Sequence, residues 1–225
     1  MSKLIDGLIR IYDRMQVEHG DQLLRSINFG GEMHEPDLML VFMNPTKANI
    51  ASSPNWRGIR SPWIGTKNIW KLLYGAGLFD EKLFRAIQTM KPTDWDENFA
   101  ERVYKEVQQN KVFITNLNKC TQHDARPLSD GMFKKYLNLL KKEISIVNPK
   151  AIIVFGNQVS SIIIGAKIEM SKNRQIAHNI KVGDKFYPVY PLYYTVGQGM
   201  RNLPKSIEDL TAIWEKVTQT RKADL

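Results

Sequence analysis

The sequence predicts an α/β fold, a three-layer α/β/α sandwich in which helices cover both faces of a central four-stranded parallel sheet. Four continuous apolar runs recur along the chain, and patterns typical of helices separate them. Runs that are continuous rather than alternating are typical of strands buried on both faces. Strands that alternate with helices favour a parallel sheet. The prediction therefore rests on the composition of the runs and on their alternation with helices.

The four strands are predicted from runs rich in Val, Ile, Phe, Leu and Tyr. Asn-Pro, Gly or polar residues follow each run and mark its end. The runs are Asp37–Met43, Lys111–Leu117, Lys150–Gly156 and Pro191–Gly197.

Three helices are predicted from apolar residues that recur every three or four positions, which places them on one helical face. The first covers residues 4–16 and carries Leu4, Leu8 and Tyr12 on that face. The second covers residues 131–147 and the third residues 205–217. Each helix therefore has one side suited to packing against the sheet.

Length and composition favour one domain, residues 1–225, with a substantial core, because 43% of residues are hydrophobic and 24% are charged. No apolar run reaches the ~20 residues that span a bilayer, so no membrane association is expected. Cys120 is the single cysteine, which excludes an intrachain disulfide and predicts a cytoplasmic or nucleoid-associated protein. The net charge of +9 favours a polyanionic partner, nucleic acid first.

Asparagine, glutamine and glycine gather at the carboxyl ends of the predicted strands, where ligands bind in parallel sheets. The four ends read Asn44-Pro45, Asn116, Gly156-Asn157-Gln158 and Gly197–Arg201. A carboxamide offers a donor and an acceptor side by side, as reading a nucleobase edge requires. The pattern predicts a polar ligand held by amides, and no catalytic Ser/His/Asp set, zinc motif or phosphate-binding glycine loop is present.

Several motifs in their order along the chain resemble the uracil-DNA glycosylase superfamily. They are "VFMNP" at the first strand end, "SPWIG" one loop later, "FITNLNKC" on the second strand and "NPKAIIVFG" on the third. A loop bearing Gly and Arg follows the fourth strand. The similarity extends over residues 37–214, most of the chain. "MNP" is similar to the Asn-Pro signature of the mismatch-specific and single-strand-selective branches.

The resemblance implies a role for each matching residue. Asn44 would hold the water that attacks the sugar C1′, and Met43 and Pro45 beside it would contact the base. Trp63 would stack on the flipped base, and Asn116 would bond the uracil edge. Each has a simpler reading: Asn44-Pro45 as a turn, Trp63 as a core residue, and Asn116 as a buried amide with partners inside the chain.

The sequence also departs from the family. The second motif usually carries a histidine, but here the strand end reads "YYTVGQGMRN", which leaves Thr195 or Gln198 as its catalytic replacement. One cysteine cannot form the iron–sulfur cluster of a related branch, so neither cofactor nor metal is expected. Thr46 stands where the signature commonly has glycine, which narrows the approach to the base.

The resemblance implies DNA contacts on two loops. One set would bind phosphates at the pocket mouth, or simply form a solvated surface: Lys47, Arg57, Arg60 and Lys67. The other loop would approach the duplex closely and insert a wedge: Gly199, Met200 and Arg201.

The function that these observations predict is a monomeric DNA repair glycosylase that flips a deaminated base, uracil first, out of DNA. It would hydrolyse the N-glycosidic bond and leave an abasic site. Two alternatives remain. One is an inactive or altered-specificity member of the same fold that acts as a binding module for DNA, RNA or a protein, and the other is an enzyme acting on free nucleosides or nucleotides.

Overall fold

The computed structural model describes residues 2–126 and 128–223, and the side chains of residues 3–126 and 128–219. The described chain forms seven α-helices and six strands. The strands are β1 (Phe29–Gly31), β2 (Leu38–Phe42), β3 (Val112–Asn116), β4 (Ala151–Phe155), β5 (His178–Val182) and β6 (Lys185–Leu192). The helices are α1 (Ser2–His19), α2 (Asn68–Gly75), α3 (Glu81–Thr89), α4 (Glu97–Gln109), α5 (Asp130–Val147), α6 (Asn157–Ile164) and α7 (Leu203–Ala223).

The six strands form one mixed sheet in the order β1-β3-β2-β4-β6-β5. The pairs β2 with β3, β2 with β4 and β4 with β6 are parallel, whereas the edge strands β1 and β5 are antiparallel to their neighbours. The expectation of four strands therefore missed both edges. β1 has only three residues, and β5 carries an alternating burial pattern that differs from the continuous apolar runs.

The fourth predicted strand was placed too late in the chain. The observed β6 begins at Lys185 and ends at Leu192, where its pairing with β4 ends. Residues 193–197, which the prediction included, leave the sheet. Their aromatic and β-branched residues resemble a strand, but they form a loop beyond its end.

Each face of the sheet is covered by helices, as the sandwich requires. One face of β2 presents Leu38, Leu40 and Phe42 to a core shared with α2, α3, α4 and α7. The other face presents Met39 and Val41 to a second core shared with α5 and α6. All five residues of β2, β3 and β4 are buried because both faces are covered.

The three predicted helices are confirmed as α1, α5 and α7. Local signals set several helix starts: the side chains of Asp80, Asp96 and Ser129 accept bonds from backbone N–H groups in the first turns of α3, α4 and α5. Asn148 ends α5 in the left-handed conformation. Within the described chain, no helix is both long and apolar enough to cross a bilayer.

The strand order places a crevice at the carboxyl ends of the central strands. From β2 the chain crosses to β3 on one side, and from β4 it continues to β6 on the other. Loops that leave in opposite directions open a gap between them, which is the common ligand site of such sheets. The fold therefore predicts a site beside the end of β2.

Candidate active site

A cavity of about 420 Å³ lies at this edge of the sheet. Its wall comes from the segment after β2, the loop before α2, the end of β3, a short loop after β3 and the segment after β6. Five of the predicted substrate or catalytic residues lie in the wall: Met43, Asn44, Pro45, Trp63 and Asn116. The sheet therefore brings together residues that are up to 73 positions apart in the sequence (116 − 43 = 73).

Asn44 follows the end of β2 by two residues, and one atom of its carboxamide is already hydrogen-bonded within the protein. Its Nδ2 donates to the carbonyl oxygen of Pro45 at 3.2 Å. The bond occupies Nδ2 and leaves Oδ1 as an acceptor in a residue that lines the cavity. Because that oxygen can accept a hydrogen bond from water, the side chain can hold a water without taking up a proton.

Asn116 is the last residue of β3 and pairs in register with Phe42 of β2. It is only 2% exposed, and its Nδ2 has no hydrogen-bond partner among the described residues. Buried polar atoms in native proteins are nearly always bonded, so an orphaned donor in a cavity wall is a group available to a ligand. The simpler reading, a buried amide satisfied inside the chain, does not describe Nδ2.

Trp63 lies in the wall in a strained backbone conformation, with φ of 67°. A positive φ is uncommon for a bulky residue and costs about 1–3 kcal/mol. The turn is held by Thr66, whose Oγ1 donates to the Trp63 carbonyl at 2.8 Å. The indole packs edge-on against Phe42, with ring centroids 4.9 Å apart, and Phe42 in turn stacks on Phe155 at 4.3 Å. These contacts fix the indole, whose buried Nε1 also has no partner in the described chain.

A fully buried polar cluster supports Asn116 from behind. Lys119 and Glu143, each with a side chain 1% exposed, form an ion pair of 2.8 Å. Lys119 Nζ also donates to the Asn116 carbonyl at 2.6 Å and to Thr115 Oγ1, and Tyr12 donates to Glu143 at 2.5 Å. Burial lowers the pKa of Lys119, and Glu143 opposes that shift. The cluster therefore fixes the end of β3, where Asn116 must be placed.

The segment after β6 supplies two wall residues through the short 3₁₀ helix Gly197–Asn202 and the turn before it. Val196 and Gly197 line the cavity. Gly199 is packed so closely that an added Cβ would lie 1.9 Å from the Tyr194 carbonyl oxygen. Glycine is therefore required at position 199 by contact within the chain.

The two predicted replacements for the missing histidine lie outside the wall. Thr195 is buried and its Oγ1 has no partner among the described residues, but it does not line the cavity. Gln198 and Arg201 are exposed in the 3₁₀ helix, and Met200 is half-buried there. Met200 and Arg201 therefore remain candidates for contact with DNA beside the cavity.

Two of the predicted phosphate contacts are engaged inside the protein, which argues against that role. Arg60 makes a bidentate pair with Asp13, at 2.5 and 3.0 Å, and its side chain is 11% exposed. Lys67 is half-buried and donates to the Gln88 carbonyl at 2.6 Å. The sequence showed their charge, but not the partners that the fold provides for them.

Lys47 and Arg57 are exposed, and Lys47 lies between the wall residues Thr46 and Ala48 in the sequence. Lys47 Nζ lies 2.8 Å from His123 Nε2, and the Arg57 backbone N–H donates to Glu97 at 3.3 Å. Arg126, which the sequence did not single out, lies in the cavity wall and pairs with Asp124 at 2.9 Å, with its own side chain 84% exposed. These three cations are accessible to a polyanion.

Sequence reasoning missed Tyr194, Asn68, Thr66 and Arg126, all of which line the cavity. Tyr194 was hidden because its segment was taken for a strand interior. Conversely, Asn157 and Gln158 do not line the cavity: Asn157 accepts from the Met170 backbone, and Gln158 donates to Leu128 and Asp130. Their amides are used to build the loop around α6.

The sequence profile described as the Uracil DNA glycosylase superfamily matches residues 32–218. This range covers most of the 225 residues and encloses every strand of the parallel set and the whole cavity wall. The chain belongs to the uracil DNA glycosylase superfamily. The resemblance seen in the sequence motifs is thereby confirmed, and the α/β sheet flanked by helices is consistent with that family. No curated protein sequence matches the chain significantly.

Membership of the uracil DNA glycosylase superfamily implies DNA N-glycosylase chemistry and DNA as the substrate. Such chemistry acts on a base held in a pocket, and this cavity wall joins the aromatic side chain of Trp63 to four carboxamides, those of Asn44, Asn49, Asn68 and Asn116. The preferred base is a separate question, which depends on the hydrogen-bonding groups of this wall.

Proposed function

We propose that the protein is a DNA glycosylase that flips a deaminated base, uracil first, out of DNA and hydrolyses its N-glycosidic bond to leave an abasic site. The observation that carries the proposal is that Asn44, Trp63 and Asn116 share one cavity wall. In that wall the Nδ2 of Asn116 is an unused donor.

Trp63 receives the flipped base in this proposal. Extruding a base costs a few kcal/mol, and stacking on an aromatic side chain returns about 1–3 kcal/mol per base. The indole is held against Phe42 before any ligand binds, so little ordering cost remains. Met43 and Pro45 complete the wall beside it.

Asn116 recognises the base edge and Asn44 places the nucleophile. The Nδ2 of Asn116 donates to a carbonyl oxygen of uracil, and its Oδ1 accepts from the ring N–H. The Oδ1 of Asn44 accepts a hydrogen bond from the water that attacks C1′. No Asp, Glu or His belongs to the described wall, so catalysis relies on positioning and hydrogen bonding rather than on a strong base.

The exposed cations and the loop after β6 hold the DNA. Lys47, Arg57 and Arg126 neutralise phosphates around the cavity mouth. Met200 and Arg201 lie on the 3₁₀ helix after Gly197, next to the wall, and fill the space that the flipped nucleotide leaves.

One observation favours a second candidate, a nucleic-acid-binding module without catalysis. The described wall contains neither the histidine that the family motif usually carries nor a carboxylate. In that case the same cavity binds an extruded base without cleaving its bond.

Incubation with oligonucleotides carrying one uracil, hypoxanthine, xanthine or mismatched thymine, followed by alkali, separates the two. Strand breaks at the modified site that are lost in Asn44→Ala support the glycosylase. Asn179→Ala is the matched control, because Asn179 is an exposed residue of β5 outside the cavity wall. Salt-sensitive binding without breaks identifies the binding module, and base release from free nucleosides alone contradicts both.

A further inference from the structure

Cleavage of a glycosidic bond is favoured by donors at the departing base, and in the proposed function Asn116 supplies one of them. The C1′–N bond breaks with its electron pair on the base, and the charge spreads onto the base oxygens. Donors aimed at those oxygens lower the barrier. We infer that, given the proposed glycosylase function, the hydroxyl of Tyr194 donates the second hydrogen bond to the departing base.

The fold places Tyr194 opposite Asn116. Asn116 ends β3, and Tyr194 follows the end of β6 by two residues. In the order β3-β2-β4-β6 these strands are the outer members of the parallel set, roughly 14 Å apart at three strand spacings. Both side chains line the same cavity, and a base bound between them would receive a hydrogen bond from each.

The phenol is available as a donor because its hydroxyl has no hydrogen bond within the part of the chain that the structure describes. Burial alone raises the pKa of Tyr194 to about 12, and no hydrogen bond to the described residues contributes to the shift. The hydroxyl therefore keeps its proton at neutral pH. Tyr12 and Tyr104 differ, because their hydroxyls donate to Glu143 and to the Pro62 carbonyl.

The backbone of Tyr194 is held in place by its loop. Gly199 packs directly against the Tyr194 carbonyl oxygen, where an added Cβ would lie 1.9 Å away. A donor fixed before the base arrives costs no reorganisation during the reaction.

The other hydroxyls near the cavity are less suited to this role. Thr66 lines the wall but donates its hydroxyl to the Trp63 carbonyl at 2.8 Å. Thr195 lies outside the wall. Thr46 also lines the wall, so its hydroxyl is the one to compare with that of Tyr194 in the test below.

The step balances without a cofactor. The electron pair of the C1′–N bond leaves with the base, and the oxygen of the water held by Asn44 forms the new bond to C1′. The water proton passes to solvent, and the base anion takes a proton from solvent. Tyr194 stabilises the anion by a hydrogen bond and returns to its starting state.

The test compares Tyr194→Phe with Tyr193→Phe, a neighbouring tyrosine that does not line the cavity. Single-turnover cleavage of uracil-containing DNA should fall about 100-fold in Tyr194→Phe, in line with the loss of one donor to a developing anion, and should be unchanged in Tyr193→Phe. The defect should shrink to about tenfold or less with 5-fluorouracil, whose anion needs less stabilisation because fluorine withdraws charge. The dissociation constant for DNA carrying a 2′-fluoro nucleotide that resists cleavage should stay the same.

Several results would overturn the inference while leaving the glycosylase proposal intact. They are full activity in Tyr194→Phe, an equal defect for uracil and 5-fluorouracil, a loss of binding that accounts for the whole effect, or the same leaving-group dependence in Thr46→Val. A wild-type protein that releases no base from any of these DNAs overturns the proposed function itself, and the inference with it.

Discussion

Two groups of buried polar atoms lie next to Asn116, and they differ in whether they have hydrogen-bond partners within the protein. On the cavity side, Asn116 Nδ2 and Trp63 Nε1 have no partner among the described residues. Behind the strand, Tyr12 and Lys119 each bond Glu143, and Lys119 also donates to the Asn116 carbonyl. Leaving a buried polar atom unpaired costs about 1–3 kcal/mol. The rear cluster is therefore satisfied within the protein, whereas the two atoms of the wall residues remain available to the ligand that we propose.

The largest expected effect is on the rear cluster. Lys119→Met leaves Glu143 buried without its cation, so the free energy of unfolding should fall by about 3–5 kcal/mol in urea denaturation. Lys172→Met is the control: its pair with Glu169 is exposed and should contribute under about 1 kcal/mol. Equal losses for the two variants would contradict the distinction between buried and exposed pairs.

Asn116→Ala should affect activity much more than stability, in contrast to Lys119→Met, whose main effect is on stability. Cleavage of uracil-containing DNA should fall about 100-fold, because one donor to the departing base is lost. Thermal unfolding should change little, since Nδ2 bonds nothing in the described chain. Asn118→Ala is the matched comparison. Its Oδ1 accepts from the Cys120 backbone at 2.7 Å, so this variant should lose stability and keep more activity.

The indole ring of Trp63 is expected to increase the affinity for DNA by stacking on the flipped base. Trp63→Ala should weaken affinity for DNA carrying an uncleavable modified base by about 1–3 kcal/mol, the contribution of base stacking. Trp63→Phe keeps a ring and should recover most of that affinity. If both variants bind as the wild type does, the indole belongs to the core and not to the ligand site.

Arg57 and Arg60 extend the comparison to charges, since one is exposed and the other is engaged by the protein. Arg57→Ala should reduce the slope of log affinity against log salt by about one, as expected for one lost phosphate contact. Arg60→Ala should leave the slope unchanged and lower stability by at most about 1 kcal/mol, because Asp13 is half exposed to solvent.

The pH dependence of that stability follows from Asp13. Burial favours a higher pKa for Asp13, but hydrogen bonds from Arg60 and Ser26 outweigh it and lower the pKa below the ordinary value. The ionised Asp13 carboxylate therefore adds to the stability of the fold above the pKa that it has in the unfolded chain. That contribution is lost as the pH falls through the lower pKa that it has in the folded protein. The stability difference between Arg60→Ala and wild type should accordingly vanish in acid. A difference that persists in strong acid would contradict this account.

The smallest expected effect is the pH dependence of cleavage. The described wall lacks Asp, Glu and His, and the pKa of Tyr194 is about 12, so single-turnover rates should vary less than about twofold between roughly pH 6 and 9. Asn44→Asp introduces a carboxylate, so the profile of the single-turnover rate against pH should gain a sloping limb on its acid side. A limb already present in the wild type would identify a base that this cavity does not explain.

Much of the site followed from the sequence because a simple rule connects the two. Asn44 and Asn116 each follow or end a continuous apolar run, and parallel strands bring their carboxyl ends to one edge. Asn157 satisfies the same rule but turns into α6 and bonds the Met170 backbone. The rule therefore predicts which residues reach the edge, and not which of them face the cavity.

Other features were out of reach because they depend on distant partners. β5 was missed because its pairing with β6 and not its composition makes it a strand. Arg60 looked like a surface cation until α1 placed Asp13 beside it, 47 positions earlier in the chain.

The sequence by itself determined the layered α/β architecture, the family and the residue types at the strand ends, because apolar runs and turn residues act locally. Only the tertiary structure decided which of those polar groups are satisfied within the chain and which remain free in the cavity. Tyr194 and Lys119 show the physical reason: whether a hydroxyl or an ammonium bonds the protein or is left for a ligand depends on neighbours that folding alone supplies.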